Sequence, residues 1–381
     1  MKALVIGCGI GGPAIAMALR EVGVDAEIFE ARSETAEGVG AFLNIASNGL
    51  DALRTLDAHR EVMLAGIPTP HMVMWSGTGK RLGEVANGMA LDDGTVSHTI
   101  LRSDLYRIVR DETVRRGIPI SYGKRLVSFE DTGGQVTARF EDGTEATGDL
   151  LIAADGVRSR TRRLLDPDAP APRYAGLYSG GGIVRDGDFT GEPGVYHMVF
   201  GKRAFFGYTV AESGETWWFA NLPRELGDVP GDWKPILVEA FEDDANFSAE
   251  LIRRAEVGPM LPIHDLPALP TWHRGRVLLT GDAAHATSPS SGQGASLAIE
   301  DAVVLARCLR DTAGHGEAFR LFESERRGRV ERVVAYARTI SNSKAAGPVA
   351  RVFRDALMPY FLKRTAGQTS LAWMYQHHVS L

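Results

Sequence analysis

The sequence predicts an α/β fold in which a parallel, nucleotide-binding type of sheet is interrupted by a β-rich insert. Three observations carry that prediction. Residues 1–30 read as strand, glycine turn, helix, strand. Two more buried-type strands, Leu150–Ala153 and Arg276–Leu279, lie far downstream, and each runs into an Asp/Gly turn. Between them, from Tyr174 to about Leu269, the helical period fades and aromatic, β-type runs replace it.

Taken in order, Lys2–Ile6 is a short apolar strand and Gly11–Val22 a helix rich in Ala, Ile, Met and Leu, with Pro13 tolerated in its first turn. Ala26–Phe29 is the next strand, closed by Glu30; parallel pairing through a right-handed crossover follows. Ser33–Val39 is polar and irregular. Asn48–Leu56 is helical, with Leu50, Leu53 and Leu56 on one face. Residues 68–100 hold short strands such as His71–Trp75, and Arg102–Arg116 is an amphipathic helix. Ile118–Tyr122, Arg125–Glu130 and Gln135–Phe140 are strand candidates. In the insert, Val195–Phe200, Ala204–Val210 and Thr216–Asn221 are strands, interrupted by a helix near Lys234–Phe241. A long helix is expected over Ala295–Leu309, and the tail from Glu317 is helical and basic through Arg326, Arg327, Arg329 and Arg332. Nucleotide-type elements at both ends imply a discontinuous first domain (1–70, 100–173 and 270–340), a β-rich second domain (71–99 and 174–269) and a C-terminal helical segment (341–381).

Composition narrows the function classes. The 381 residues are 44% hydrophobic and 24% charged, as in an ordinary folded protein with room for two domains. A net charge of −6 argues against a general nucleic-acid binder, and no apolar run reaches a membrane span. Ala16-Met17-Ala18 imitates a leader cleavage site, but Gly7, Gly9, Gly11 and Gly12 would break the apolar helix of a signal peptide. Cys8 and Cys308 are too few for a disulfide framework, and no second ligand stands at metal spacing, so no metal site and a cytoplasmic location are expected.

The motifs sharpen this. In Gly7-x-Gly9-x-x-Gly12 the first glycine permits the tight turn, the second lets backbone approach a pyrophosphate, and the third lets helix and strand pack. The helix then meets the phosphates with free N–H groups. Glu30, at the end of the second strand, suits ribose hydroxyls and disfavours a 2′-phosphate, so the Rossmann-type unit fits FAD or NAD. Downstream, Leu151–Ala154 delivers Asp155-Gly156, with Arg158 and Arg160 just beyond. Leu278-Leu279-Thr280-Gly281-Asp282 delivers a second carboxylate, followed by His285, Pro289 and the turn Gly292-Gln293-Gly294-Ala295-Ser296, which starts a helix. His285 reads as a packed or capping side chain more readily than as a general base.

Three such motifs in this order resemble the class A flavoprotein monooxygenases, the FAD-dependent hydroxylases that include aromatic-ring hydroxylases. The similarity covers about residues 1–50, 100–175 and 272–335. It implies a GR2-like FAD-binding domain with an inserted, mostly β substrate domain and C-terminal helices. It implies FAD contacts from Gly7, Gly9, Gly11, Gly12, Glu30, Ala31, Arg32, Arg102, Val127, Asp155, Gly156, Asp282, Pro289, Gly292, Gly294, Ala295 and Ser296. It also implies a cycle in which NADPH or NADH visits to reduce FAD, O2 gives a C4a-hydroperoxyflavin, and the terminal oxygen passes to a small or medium aromatic or polyketide-like substrate. Epoxidation, oxidation without oxygen insertion, and a non-catalytic flavin carrier are alternatives, and the chain would be a monomer or homodimer. Ser296 stands where the family often has Asn, and Ser47 where it often has Pro. Ser179-Gly180-Gly181-Gly182 replaces a bulky, charged segment of many relatives, which predicts a roomier pocket. His197, Arg203, Tyr208, Trp218 and His264 are the expected pocket residues. Trp217 and Trp218 point to opposite faces of their strand, so at most one faces the flavin.

Overall fold

The structure, a computed structural model, describes residues 1–33, 42–185, 189, 191–227, 229–344, 351, 353, 355–360 and 371–381. The irregular stretch expected over Ser33–Val39 therefore lies, past Ser33, outside the described residues, as does part of the C-terminal segment.

A six-stranded sheet is the frame of the nucleotide-type half. Its order is His273–Arg274, Val277–Leu279, Leu150–Ala153, Lys2–Ile6, Asp25–Phe29, Ile120–Ser121. The strand Lys2–Ile6 is central and parallel to both neighbours, with Val5 opposite Ile28 on one side and Ile152 on the other. Its residues from Ala3 to Ile6 are buried on both faces, which explains the unbroken apolar run. Each buried Leu, Ile or Val contributes about 1.5–3 kcal/mol. Helix Gly11–Glu21 buries everything from Gly12 to Leu19 and packs on helix Gly294–Asp311, where Ala298 lies 3.4 Å from the place a Cβ on Gly11 would occupy. Two far-separated segments thus meet, because the strand before each lies in the same sheet. A small antiparallel sheet, Phe42–Ile45, His98–Leu101 and Ile67–Pro68, stands at the side of this frame.

The β-rich half is a seven-stranded sheet: Leu261–Asp265, Arg173–Val184, Thr216–Pro223, Phe205–Val210, Val195–Phe200, His71–Ser76, Arg81–Ala86. Only the pairing of Val195–Phe200 with His71–Ser76 is parallel. Helices Lys234–Phe241 and Ser248–Arg254 cover one face, burying Leu237, Phe241, Leu251 and Ile252 against Trp218, Phe206 and Tyr178. The sequence reading missed the longest strand, Arg173–Val184, since glycines depress strand propensity. The structure shows why they are there. A Cβ on Gly180 would lie 2.5 Å from the Met260 sulfur, and one on Gly182 would lie 2.6 Å from the Glu256 carbonyl. No helix among the described residues is long and apolar enough to cross a membrane.

Candidate active site

The two nucleotide-type motifs touch at the head of the central strands. Gly7 has φ +104°, and a Cβ there would lie 2.5 Å from the Ala154 carbonyl oxygen; one on Gly12 would lie 1.9 Å from the Gly7 oxygen. Both glycines are therefore required by backbone packing. Gly9 differs: a Cβ there meets nothing within 4 Å, so its bareness leaves open space in front of the helix that begins at Gly11. Glu30 closes the far side. Its carboxylate accepts from the Cys8 N–H at 2.8 Å and from the Arg32 N–H at 2.9 Å, which fixes it toward the cleft beside the half-buried Ala31. Burial, and then the Glu30 charge, push the Cys8 thiol up to about 12, so it stays protonated.

Asp155 sits against Gly7. Its Oδ2 accepts from the Thr161 N–H and hydroxyl, at 3.0 and 2.9 Å, while Oδ1 is buried and has no protein partner. A buried, unpaired acceptor marks a place for a ligand donor. Gly156, next along the chain, has φ +80°, and a Cβ there would meet nothing within 4 Å. Val127 lies half-buried in the strand Leu126–Asp131.

The third motif forms the floor. Gly281, at φ +53°, turns the chain so that Asp282 opens onto the cleft. Asp282 keeps solvent-accessible surface, yet it lies so deep among protein atoms that desolvation raises its carboxyl above the ordinary range, against the opposing charges of His285 and Arg102. Arg102, exposed at the start of helix Arg102–Arg115, thus reaches this floor electrostatically. Pro289 begins a tight turn that ends at Gly292, φ +63°. Gly294 and Ala295 then start the helix, and a Cβ on Gly294 would lie 4.0 Å from Asp282 Oδ1.

Ser296 points elsewhere. Its hydroxyl accepts from the Ala46 N–H at 3.3 Å and lies 2.4 Å from where a Cβ on Gly49 would sit. It is wholly buried and lets helix Ser47–Thr55 approach, so its role is packing beneath the turn.

Below that floor runs a buried ionic network that the sequence did not reveal. Arg326 donates to Glu300 and to Asp301, each at 2.7 Å; Arg329 makes a two-pronged contact with Glu300; and Asp301 accepts from the Gly281 N–H at 2.8 Å and pairs with His285 at 2.7 Å. Burial pushes both carboxyls up, but the surrounding cations overcome it and leave both below the ordinary range. Asn48 donates to Glu300 and to Gln293 of the glycine turn. His285 is thus a structural partner that holds Asp301 and the Gly281 turn. The i,i+3 arginines of the basic tail, Arg326 and Arg329, were the available signal for this network.

Comparison with known proteins agrees with this geometry. A family described as "FAD binding domain" matches residues 1–201 and 266–337. The aurachin C monooxygenase/isomerase of Stigmatella aurantiaca is 33% identical over 322 residues, 81% of this chain and 80% of that protein. The FAD-dependent urate hydroxylase of Klebsiella pneumoniae is 32% identical over 346 residues, 89% of each. The crystal structure of Klebsiella pneumoniae HpxO complexed with FAD and uric acid matches with a TM-score of 0.83 at 28% identity, over 94% of this chain and 93% of that one. The chain is a class A FAD-dependent monooxygenase.

FAD is the cofactor of this monooxygenase, and the cleft has the features it requires. There is open space at Gly9, an acidic side chain in Glu30 at the cleft edge, an unpaired acceptor on Asp155, and a carboxylate and helix start at Asp282 and Gly294.

The five residues expected to line a substrate pocket lie on one side of the β-rich sheet or at its margins. Cross-strand register places Trp218, Tyr208 and His197 in one row, and that row faces the two covering helices. Trp218 is fully buried there, and His197 stacks on Tyr208 at 4.5 Å while accepting from the Trp75 indole N–H at 3.1 Å. His264 lies at the sheet edge beside Tyr174, and Arg203 is exposed, bonded to the Glu239 carbonyl and Asp243. The structure thus brings none of these five to the face opposite the helices. For Trp218, Tyr208 and His197 the reason is strand parity, since a shift of one residue exchanges the faces, whereas Arg203 lies in the turn between strands Val195–Phe200 and Phe205–Val210.

The other face carries the neighbouring rows. Ile183, Trp217, Thr209, Tyr196 and Met72 form one, and Gly181, Phe219, Gly207, Met198 and Met74 the next. Phe42 meets Tyr196, Trp217 and Phe219 with ring centroids 5.9, 6.2 and 5.9 Å away. A Cβ on Gly207 would lie 2.1 Å from the Phe219 ring, so this glycine is what lets the ring lie flat along the sheet. Two residues beyond Phe42, Asn44 lies 3.3 Å from where a Cβ on Gly292 would sit. Phe42 thereby joins the aromatic wall to the strand that touches the glycine turn.

Proposed function

We propose that this monooxygenase uses NAD(P)H and O2 to hydroxylate a small or medium aromatic or polyketide-like molecule held on the Phe42–Trp217–Phe219 face. The observation that carries the reading is the bridge just described. One short strand, Phe42–Ile45, offers Phe42 to the aromatic wall and Asn44 to the turn that follows Asp282. A flat molecule on that wall would lie beside the flavin-holding turn. Relatives named for urate and aurachin C support a ring substrate.

FAD, once reduced, supplies the activation of O2; the chain binds, orients and keeps water out. Gly7, Gly9, Gly11 and Gly12 would take the pyrophosphate, Glu30 with Ala31 and Arg32 the adenosine ribose, and Val127 the adenine side. Arg102, Asp155, Gly156 and Asp282 would take the remaining phosphate and ribitol groups. Pro289, Gly292, Gly294, Ala295 and, through packing, Ser296 would shape the ring end. Burial holds the Tyr196 hydroxyl protonated, well above the usual phenol range, so it can donate to a substrate oxygen but does not act as a base.

NADPH or NADH as a visiting reductant, a cytoplasmic site of action, a monomer or homodimer, and a cofactor domain built from residues 1–70, 100–173 and 270–340 complete the proposal. Buried, free Cys8 and Cys308 suit a reducing compartment. The test is NAD(P)H oxidation by the FAD-loaded protein with and without candidate ring compounds, with the product mass recorded. Stimulated oxidation and a gain of one oxygen atom are expected; failure of NAD(P)H to reduce the flavin under any condition contradicts the reading.

A further inference from the structure

The pocket wall has a property that selects among ring compounds. Its rows, as set by register, contain aromatic, thioether, aliphatic, glycine and hydroxyl side chains and no ionised one. Tyr196 and Trp217 are buried, while Phe42, Phe219 and Met198 keep part of their surface open. Among the described residues, the ionised group brought onto the next row of this face is an acid: Asp355, which accepts from the Ser76 hydroxyl at 2.7 Å. Arg351 stops at the Lys202 carbonyl, past the end of the strand. The nearby cations Arg326 and Arg329 are committed to Glu300 and Asp301 beneath the floor.

We propose that the site takes an uncharged, apolar, multi-ring substrate and discriminates against carboxylates of the same ring system. This rests on the monooxygenase reading above and specifies its substrate class. An isolated carboxylate moved onto this wall loses its hydration and gains no cationic partner, at most the neutral Tyr196 hydroxyl, whereas a neutral ring keeps its dispersion contacts. The same desolvation already acts on Tyr196, whose hydroxyl is driven further toward the neutral form. Size follows from Gly181, which lies opposite Phe219 in the register and points no side chain into the space. A bulkier residue there would narrow the site, so the proposal is for a bicyclic or tricyclic ring system.

The experiment titrates FAD-loaded enzyme with matched probes, 1-naphthol against 1-naphthoate and 4-hydroxyquinoline against quinoline-4-carboxylate. Perturbation of the flavin absorbance reports binding. The neutral member of each pair is expected to bind at least about tenfold more tightly. Met198→Lys, which sets a cation into the second row, is expected to narrow or invert that ratio. Carboxylates that bind as tightly as their neutral partners, or neutral probes that do not bind at all, overturn the inference. A Met198→Lys protein that keeps FAD and shows an unchanged ratio also counts against it. Oxygen gain is scored separately. Neutral-selective binding without any oxygenated product leaves the inference standing and removes the hydroxylase reading; oxygenated carboxylate products bound without discrimination do the reverse.

Discussion

The nucleotide cleft and the seven-stranded sheet are built under different constraints. In the cleft, backbone approaches backbone: Gly7 and Gly12 lie where a single carbon would meet a carbonyl at 2.5 and 1.9 Å. Only glycine satisfies that, so the residue type reports the geometry. In the sheet, Trp217 and Trp218 are chemically alike and adjacent, yet one faces Phe42 and the other the covering helices. There the residue type reports nothing, and the face is decided by register. Contact constraints are readable in a sequence; parity constraints are not until the strands are paired.

Substitutions can break this comparison, and the largest effects belong to the cleft. Gly12→Val is expected to cost about 3 kcal/mol or more and yield little folded protein, because the neighbour is backbone and cannot give. Gly9→Val should fold with an ordinary melting temperature and be nearly free of FAD, since its new atoms enter only ligand space. Thermal melting and bound-flavin absorbance of the two variants check this. Next comes Arg326→Leu, which leaves Glu300 and Asp301 buried with one cation fewer; a loss of about 3–5 kcal/mol in denaturant melts is expected, partly restored by Arg326→Lys.

The sheet supplies the matched pair. Trp218→Ala should cost about 3–5 kcal/mol of stability while FAD binding survives. Trp217→Ala should lose about half as much stability and act mainly by raising KM. If the two exchange behaviours, the assignment of faces is wrong.

The smallest effect is a titration. Burial, and then the Arg81 charge, lower His197 from its ordinary 6.5 to about 4. The unfolded chain binds that proton first, so the contribution to stability is complete above pH 6.5 and is lost as pH falls toward about 4. About 1–2 kcal/mol is at stake after solvent screening. His377, also lowered to about 4 by burial, adds a similar slope. His197→Phe should therefore reduce the acid sensitivity in a series of melts across that window.

Much of the cleft was legible. The turn at Gly7–Gly12, Glu30, Asp155 and Asp282 lie at strand ends and helix starts, where pattern and chemistry coincide. Ser296 was placed correctly in the chain, but its hydroxyl turns to Ala46, because neighbouring Gly49 leaves room for it. The ionic network escaped notice since Glu300, Arg326 and Asn48 come from three distant segments. Strand Arg173–Val184 escaped because its glycines answer to Met260 and Glu256, which are distant in sequence. Register, which residue type does not reveal, puts Tyr208, Trp218 and His197 together on the helix-covered side of the sheet.

The central claim joins the two regions: an FAD cleft and an aromatic wall cooperate through Phe42 to oxygenate a ring. Its most direct measurement is turnover of a neutral bicyclic substrate by the FAD-loaded enzyme with NAD(P)H under isotopically labelled O2. One labelled oxygen atom in the product, with turnover sharply reduced by Phe42→Ala while FAD remains bound, is the predicted result. Oxidised NAD(P)H with no labelled product from any ring substrate, or full turnover in Phe42→Ala, would contradict it.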